Sequence, residues 1–145
     1  MSGAALARPA VVPIAGATSP QAAAAWELAL DLFFESWRVS AGWLPSAARP
    51  FRQRALTLSR LIGVAALTRC SVVVEVHLSS ARLALADLES ELARLVSSGA
   101  VPRSSLEIWT GWSTRLGVEL SCWRLQLVPL AQDVVMAQNH SQTDS

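Results

Sequence analysis

From Val64 to Leu95 the chain places Val64, Leu67, Ser71, Val74, Leu78, Ala81, Leu85, Leu88, Leu92 and Leu95 at steps of three and four, and nine of these ten positions are apolar. An α-helix turns once per about 3.6 residues, so a row with this step lies along one side of a cylinder. That side must be covered by something. The row is sustained over more than four heptads, the pattern of a coiled-coil seam. The chain is therefore read as all-α, with at least one further helix to seal the stripe.

Other rows repeat the step. Trp109, Trp112, Leu116, Leu120, Trp123, Leu127, Leu130 and Val134 form one, and Trp26, Leu30, Phe33 and Trp37 form another. Phe51, Ala55, Leu58 and Ile62 make a row that lies off the line of the one beginning at Val64, which points to a phase shift near Gly63. The stretch Ser71 to Leu78, SVVVEVHL, is β-branched enough to suit a strand. The seam passes through it in register, which favours helix.

Boundary signals place three helices at about 19–40, 51–98 and 104–137. Ser19 can cap the first, with Pro20 at its opening position, and Gly42 and Pro45 end it. Gly99 and Pro102 close the second. If continuous, that helix would be on the order of 70 Å long at ~1.5 Å per residue, more than a compact domain of this length can hold. Ser104 and Glu107 have the spacing of a capping box for the third, and Pro129 should bend it. The short turn after Gly99 would fold it back antiparallel. The expected architecture is an elongated antiparallel hairpin or bundle of about three helices, coiled-coil-like. Residues 1–18 are expected as a flexible lead-in and residues 139–145 as a flexible tail.

Apolar residues make up 52% of the chain and charged residues 16%, a drier mixture than the soluble average. That balance argues for a folded chain with more apolar surface than one small bundle need bury, hence for a homo-oligomer or an apolar partner. A net charge of +1 is too small to attract nucleic acid. The basic residues are all arginine and are scattered, so bidentate anion recognition is not indicated. Leu61 to Leu78 is the most hydrophobic stretch, but Arg69 and Glu75 interrupt it and no transmembrane span is expected. Pro9 and Pro13 break the apolar part of the N-terminus, which does not read as a signal peptide. The expected location is cytoplasmic. Cys70 and Cys122 lack CxxC or metal-ligand spacing and are read as small buried side chains in a reducing compartment.

No constellation for chemistry emerges. Asp31 and Glu35 share a helix face, but Glu35–Arg38, Glu91–Arg94 and Arg115–Glu119 read as exposed ion pairs. His77 lies within an apolar helix and His140 in the tail; one well-placed histidine cannot make a metal site. GxSxG, GxGxxG and a P-loop lysine are all missing. The chain is expected to be non-enzymatic, with no cofactor and no metal.

What remains is the aromatic stripes. Trp26, Phe33, Trp37, Trp109, Trp112 and Trp123 either seal a bundle or contact an apolar surface, because indole suits both uses. Each buried ring is worth roughly 1.5–3 kcal/mol in either setting, so energetics leave both open.

The region from about Phe51 to Gln138 resembles the phasins, small bacterial proteins that coat polyhydroxyalkanoate storage granules. The resemblance lies in an Ala- and Leu-rich helix, SSARLALADLESELARL at 79–95, a short break, and a second helix from LEIWTGW at 106–112 to LVPLAQDVVMAQ at 127–138. Phasins tend to carry many lysines and fewer tryptophans, whereas this chain has no lysine and six tryptophans. The resemblance implies a self-associating, non-catalytic protein that adsorbs to a polyester granule surface. The alternative is a cytoplasmic helical adaptor whose seam pairs with a helix of a specific protein partner.

Overall fold

The computed structural model describes residues 16–143, with side chains as far as Leu127. Four helices follow in order, α1 (Pro20–Val39), α2 (Pro45–Leu67), α3 (Ser71–Ser97) and α4 (Arg103–Thr143). The described residues contain no strand, and Ser71 to Leu78 forms the opening turns of α3.

The single helix expected over 51–98 is therefore two helices. Backbone at Thr68 (φ −90°, ψ 134°) and Cys70 (φ −81°, ψ 113°) is extended and reverses the chain. The phase shift near Gly63 is the cause. Phe51, Ala55, Leu58 and Ile62 are buried together with Ala65 and Ala66, while Val64 and Leu67 are about half exposed. One straight helix cannot turn two offset stripes toward the same core. Folding back at 68–70 lets both reach it, and the expected rod becomes a bundle.

Each helix packs on its neighbour in sequence and α4 closes against α1, while Phe51 of α2 and Trp109 of α4 meet across the diagonal. Cross-links show that neighbours are antiparallel. Arg54 of α2 meets Glu91 of α3 at 3.2 Å, and Gln21 Nε2 of α1 donates to Glu119 of α4 at 2.6 Å. This is the up-down-up-down arrangement that short connections impose.

Several ends follow local rules. Ser19 Oγ accepts the Ala22 N–H at 3.0 Å, capping α1. Gly99, at φ +78°, ends α3, and the Ala100 N–H then reaches back to the Leu95 carbonyl at 3.0 Å. Pro45 at the first helical position starts α2 before the expected residue 51. The capping box does not form. The Pro102 carbonyl already accepts the Ser105 N–H at 3.1 Å, so α4 opens at Arg103 and Ser104 falls inside its first turn. At its far end α4 continues through Pro129 to Thr143, into residues expected as tail. Of the expected N-terminal lead-in, residues 1–15 lie outside the described residues; Thr18 N–H is tied to the Ala66 carbonyl at 2.9 Å.

The core is asymmetric. α1 contributes Ala22, Ala25, Ala29, Leu32 and Ser36, a row of mostly small side chains. α4 fills the space with Trp109, Leu116, Leu120 and Trp123, and α3 with Val74, Leu78, Ala81, Leu85, Leu88, Leu92 and Leu95. Trp109 is fully buried, and its Nε1–H donates to Ser36 Oγ at 2.9 Å, whose own hydroxyl donates to the Leu32 carbonyl at 2.7 Å. Phe51 lies 5.8 Å from the Trp109 ring and 5.1 Å from Trp43, centroid to centroid. At the other end of α1, Trp26 lies across Gly63, where a Cβ would stand 3.1 Å from indole atoms.

Two stability predictions follow from this core. Ser36→Ala leaves the buried indole N–H without an acceptor and should cost about 1–3 kcal/mol, read as a lower urea midpoint at unchanged slope. Gly63→Val should cost about 1–3 kcal/mol by overpacking, and less in a Trp26→Leu background, where the flat indole no longer occupies the space.

Candidate functional site

The six candidate contact residues divide between core and surface. Trp109 and Trp123 are buried. Trp26, Phe33 and Trp112 are half-buried at the margin of the core. Only Trp37 of the six is exposed, at 47%, and Arg52 covers one face of its ring from 4.0 Å. The stripe Trp26, Leu30, Phe33, Trp37 thus runs one residue out of step with the buried row of α1, along the flank that α2 overlaps. The structure does not assemble these aromatics into one surface.

Outward apolar side chains come instead from outside these six, among them Val64 and Leu67 of the expected seam. Val72, Val76 and Leu83 of α3 are 64%, 59% and 70% exposed. At about 100° per residue they fall within about 40° of one another, on the side opposite Val74, Leu78 and Leu85. Ser79 and Ala86 continue the same line, which carries no charged residue from Val72 to Ala86. Val118 and Leu125, two turns apart, are likewise exposed on the outside of α4, as are Val64 and Leu67 on α2 and Phe34 on α1. The spacing of 72, 76, 79, 83 and 86 was legible. It was masked because the stronger leucine row on the same helix accounts for its periodicity.

Charged groups act as fasteners. Arg94 donates to Glu91 at 2.8 and 3.1 Å, and Arg38 holds Glu35. Arg115 does not pair with Glu119 as expected. It lies 5.1 Å above the Trp112 ring, while Glu119 is taken by Gln21 across the α1–α4 seam. His77 is half-buried and its Nδ1–H donates to the Val73 carbonyl at 2.9 Å, a backbone bond that occupies it. Cys70 and Cys122 are free, and they are exposed rather than buried as expected, because they fall at the start of α3 and on the outside of α4.

A groove of about 560 Å³ between α1 and α2 is bordered by Phe33, Trp37, Arg49, Arg52 and Leu56. A cleft of about 490 Å³ at the end of the bundle is bordered by Ser19, Thr68, Arg69, Trp123 and Gln126. Neither brings a nucleophile to a base or sets two carboxylates together. The described residues contain no group of acids, histidines and cysteines placed to hold a metal, no buried side-chain N or O lacking a partner, and no helix long and apolar enough to cross a membrane.

Compared with known proteins, the chain matches no family model, no curated protein sequence and no solved structure.

The Glu91 cluster gives a pH prediction. Hydrogen bonds from Arg94, helped by the charges of Arg94 and Arg54, hold the Glu91 carboxyl below its ordinary value, against a desolvation effect of opposite sign. A carboxyl depressed in the folded state stabilises above its unfolded pKa, about 4.3, and that contribution is lost as pH falls through the folded value. Glu91→Gln should therefore melt lower than wild type near neutral pH, and the difference should shrink on acidification. A thermal melt at each pH checks this; a constant difference would contradict it.

Proposed function

We propose that this chain is a non-enzymatic contact protein that adsorbs to an apolar interface, the polyhydroxyalkanoate granule surface being the case its resemblance to phasins implies. The supporting observation is the distribution of exposed large apolar side chains. They occur on every helix, as Phe34, Val64, Val76, Leu83, Val118 and Leu125. The chain already buries a complete core, so this surface is surplus to folding. Adsorption through it needs no opening of the bundle, and the buried tryptophans stay where they are. Burying four such side chains at roughly 1.5–2 kcal/mol each supplies on the order of 6–8 kcal/mol before ordering costs, which sets a micromolar ceiling on affinity. Oligomers in solution would shelter part of the same surface, with the arginine and carboxylate faces turned to water.

The second reading is a helical adaptor for a specific protein partner. It is favoured by the narrowness of the Val72–Val76–Leu83 line, one helix wide and flanked by charges, which suits a coiled-coil-like pairing with another helix.

Co-sedimentation with purified polyester granules, in the absence of other proteins, separates the two. Wild type should pellet with the granules, and a Leu83→Asp, Leu125→Asp double variant should lose most of its binding without a change in helicity. Protein that stays in the supernatant at every granule load, with tryptophan fluorescence unaltered, would sink the granule reading in favour of the adaptor.

A further inference from the structure

We infer that the outer line of α3 is the docking surface for a second copy of this chain, laid antiparallel across a twofold axis near Ser79. The inference is independent of what the chain adsorbs to. Val72, Val76 and Leu83 point away from their own bundle, and a helix apolar on two opposite sides has room for two partners. A twofold perpendicular to an antiparallel helix pair sets the same patch of each copy against itself. With the axis at Ser79, the two Ser79 residues meet at the centre, where a small side chain permits close approach. Val76 then lies beside Leu83 of the second copy, and Val72 opposite its Ala86.

Charge chooses this register. Glu75 and Arg82 lie on the same flank of the line, seven residues apart. A twofold of this kind brings like flanks together, so Glu75 of each copy falls beside Arg82 of the other, and two ion pairs bracket the apolar centre. Arg82 makes no hydrogen bond or ion pair among the described residues. Glu75 has only a 4.0 Å approach from Arg124. On the other flank Val73 comes opposite Ala84. The same register places Asp87, which also lacks a partner among the described residues, level with the first turn of α3 in the second copy. That turn has neither a side-chain cap nor an acid of its own, and a carboxylate there is favourable.

Sedimentation equilibrium of the full chain tests the assignment. Wild type should show a reversible dimer in the micromolar range, and Leu83→Asp should be monomeric at the same concentrations with its helical circular dichroism intact. Glu75→Arg alone and Arg82→Glu alone should each raise the dimer Kd at least tenfold. An equimolar mixture of these two variants should dimerise again, because every cross-pair in the mixed dimer is then of opposite sign. A wild type that stays monomeric at 100-fold this concentration range, or a Leu83→Asp variant that still dimerises, overturns the α3 interface. A mixture that fails to recover overturns the antiparallel register. Granule adsorption persisting in a monomeric wild type would leave the contact-protein reading standing and remove only this one.

Discussion

The burial of Trp109 against α1 holds the bundle's order together. α1 presents three alanines, one leucine and a serine to the interior, so it makes little core of its own. Its role is to leave a space that the indole fills and to supply the one acceptor that an indole N–H requires when it is taken out of water. Trp109, Ser36 and the Leu32 carbonyl form a short polar line through an apolar core. Buried polar groups are costly unless satisfied, so this line also specifies partner and register. Only α4 carries the tryptophan, and only one turn of α1 carries its acceptor. The closure of α4 onto α1, which makes a bundle of what would otherwise be an open row of helices, rests on that match.

The opposite constraint operates at the other end of α1. There the large side chain belongs to α1 and the missing one to α2, with Trp26 laid over Gly63. Large and small thus alternate along α1, facing α4 at one level and α2 at another. This complementarity lets helices of unequal apolar content pack closely, as interiors require. Once the core is complete in this way, the remaining valines and leucines have no place inside. Their position on outer faces is a consequence of the packing.

The chemistry available on that surface agrees with a contact role. Several of its titratable groups are engaged in helix-local pairs or in cross-helix fasteners such as Gln21–Glu119 and Arg54–Glu91, while Arg82 and Asp87 on the outside of α3 have no partner among the described residues. The apolar line on α3 lies between flanks of mixed charge, and mixed flanks discriminate among registers and partners better than they add affinity.

The sequence alone determined that the chain is helical, both ends of α1, the end of α3 and the start of α4, and that Val74 through Leu95 face a core, because 3.6-residue periodicity and capping chemistry are local properties. It also carried the break between α2 and α3, as two apolar rows out of phase, although the strength of the leucine row made one long helix the simpler reading. What the sequence could not decide was which of two parallel stripes on α1 faces inward. Ala22–Ala25–Ala29–Leu32–Ser36 and Trp26–Leu30–Phe33–Trp37 lie one residue apart, and side-chain size favours the aromatic row. The tertiary structure chose the alanines, because the space on that side was already taken by an indole from α4. The outer line of α3 was hidden for a related reason: a residue is exposed only once the neighbouring helices have taken their places, and that depends on contacts far apart in the chain.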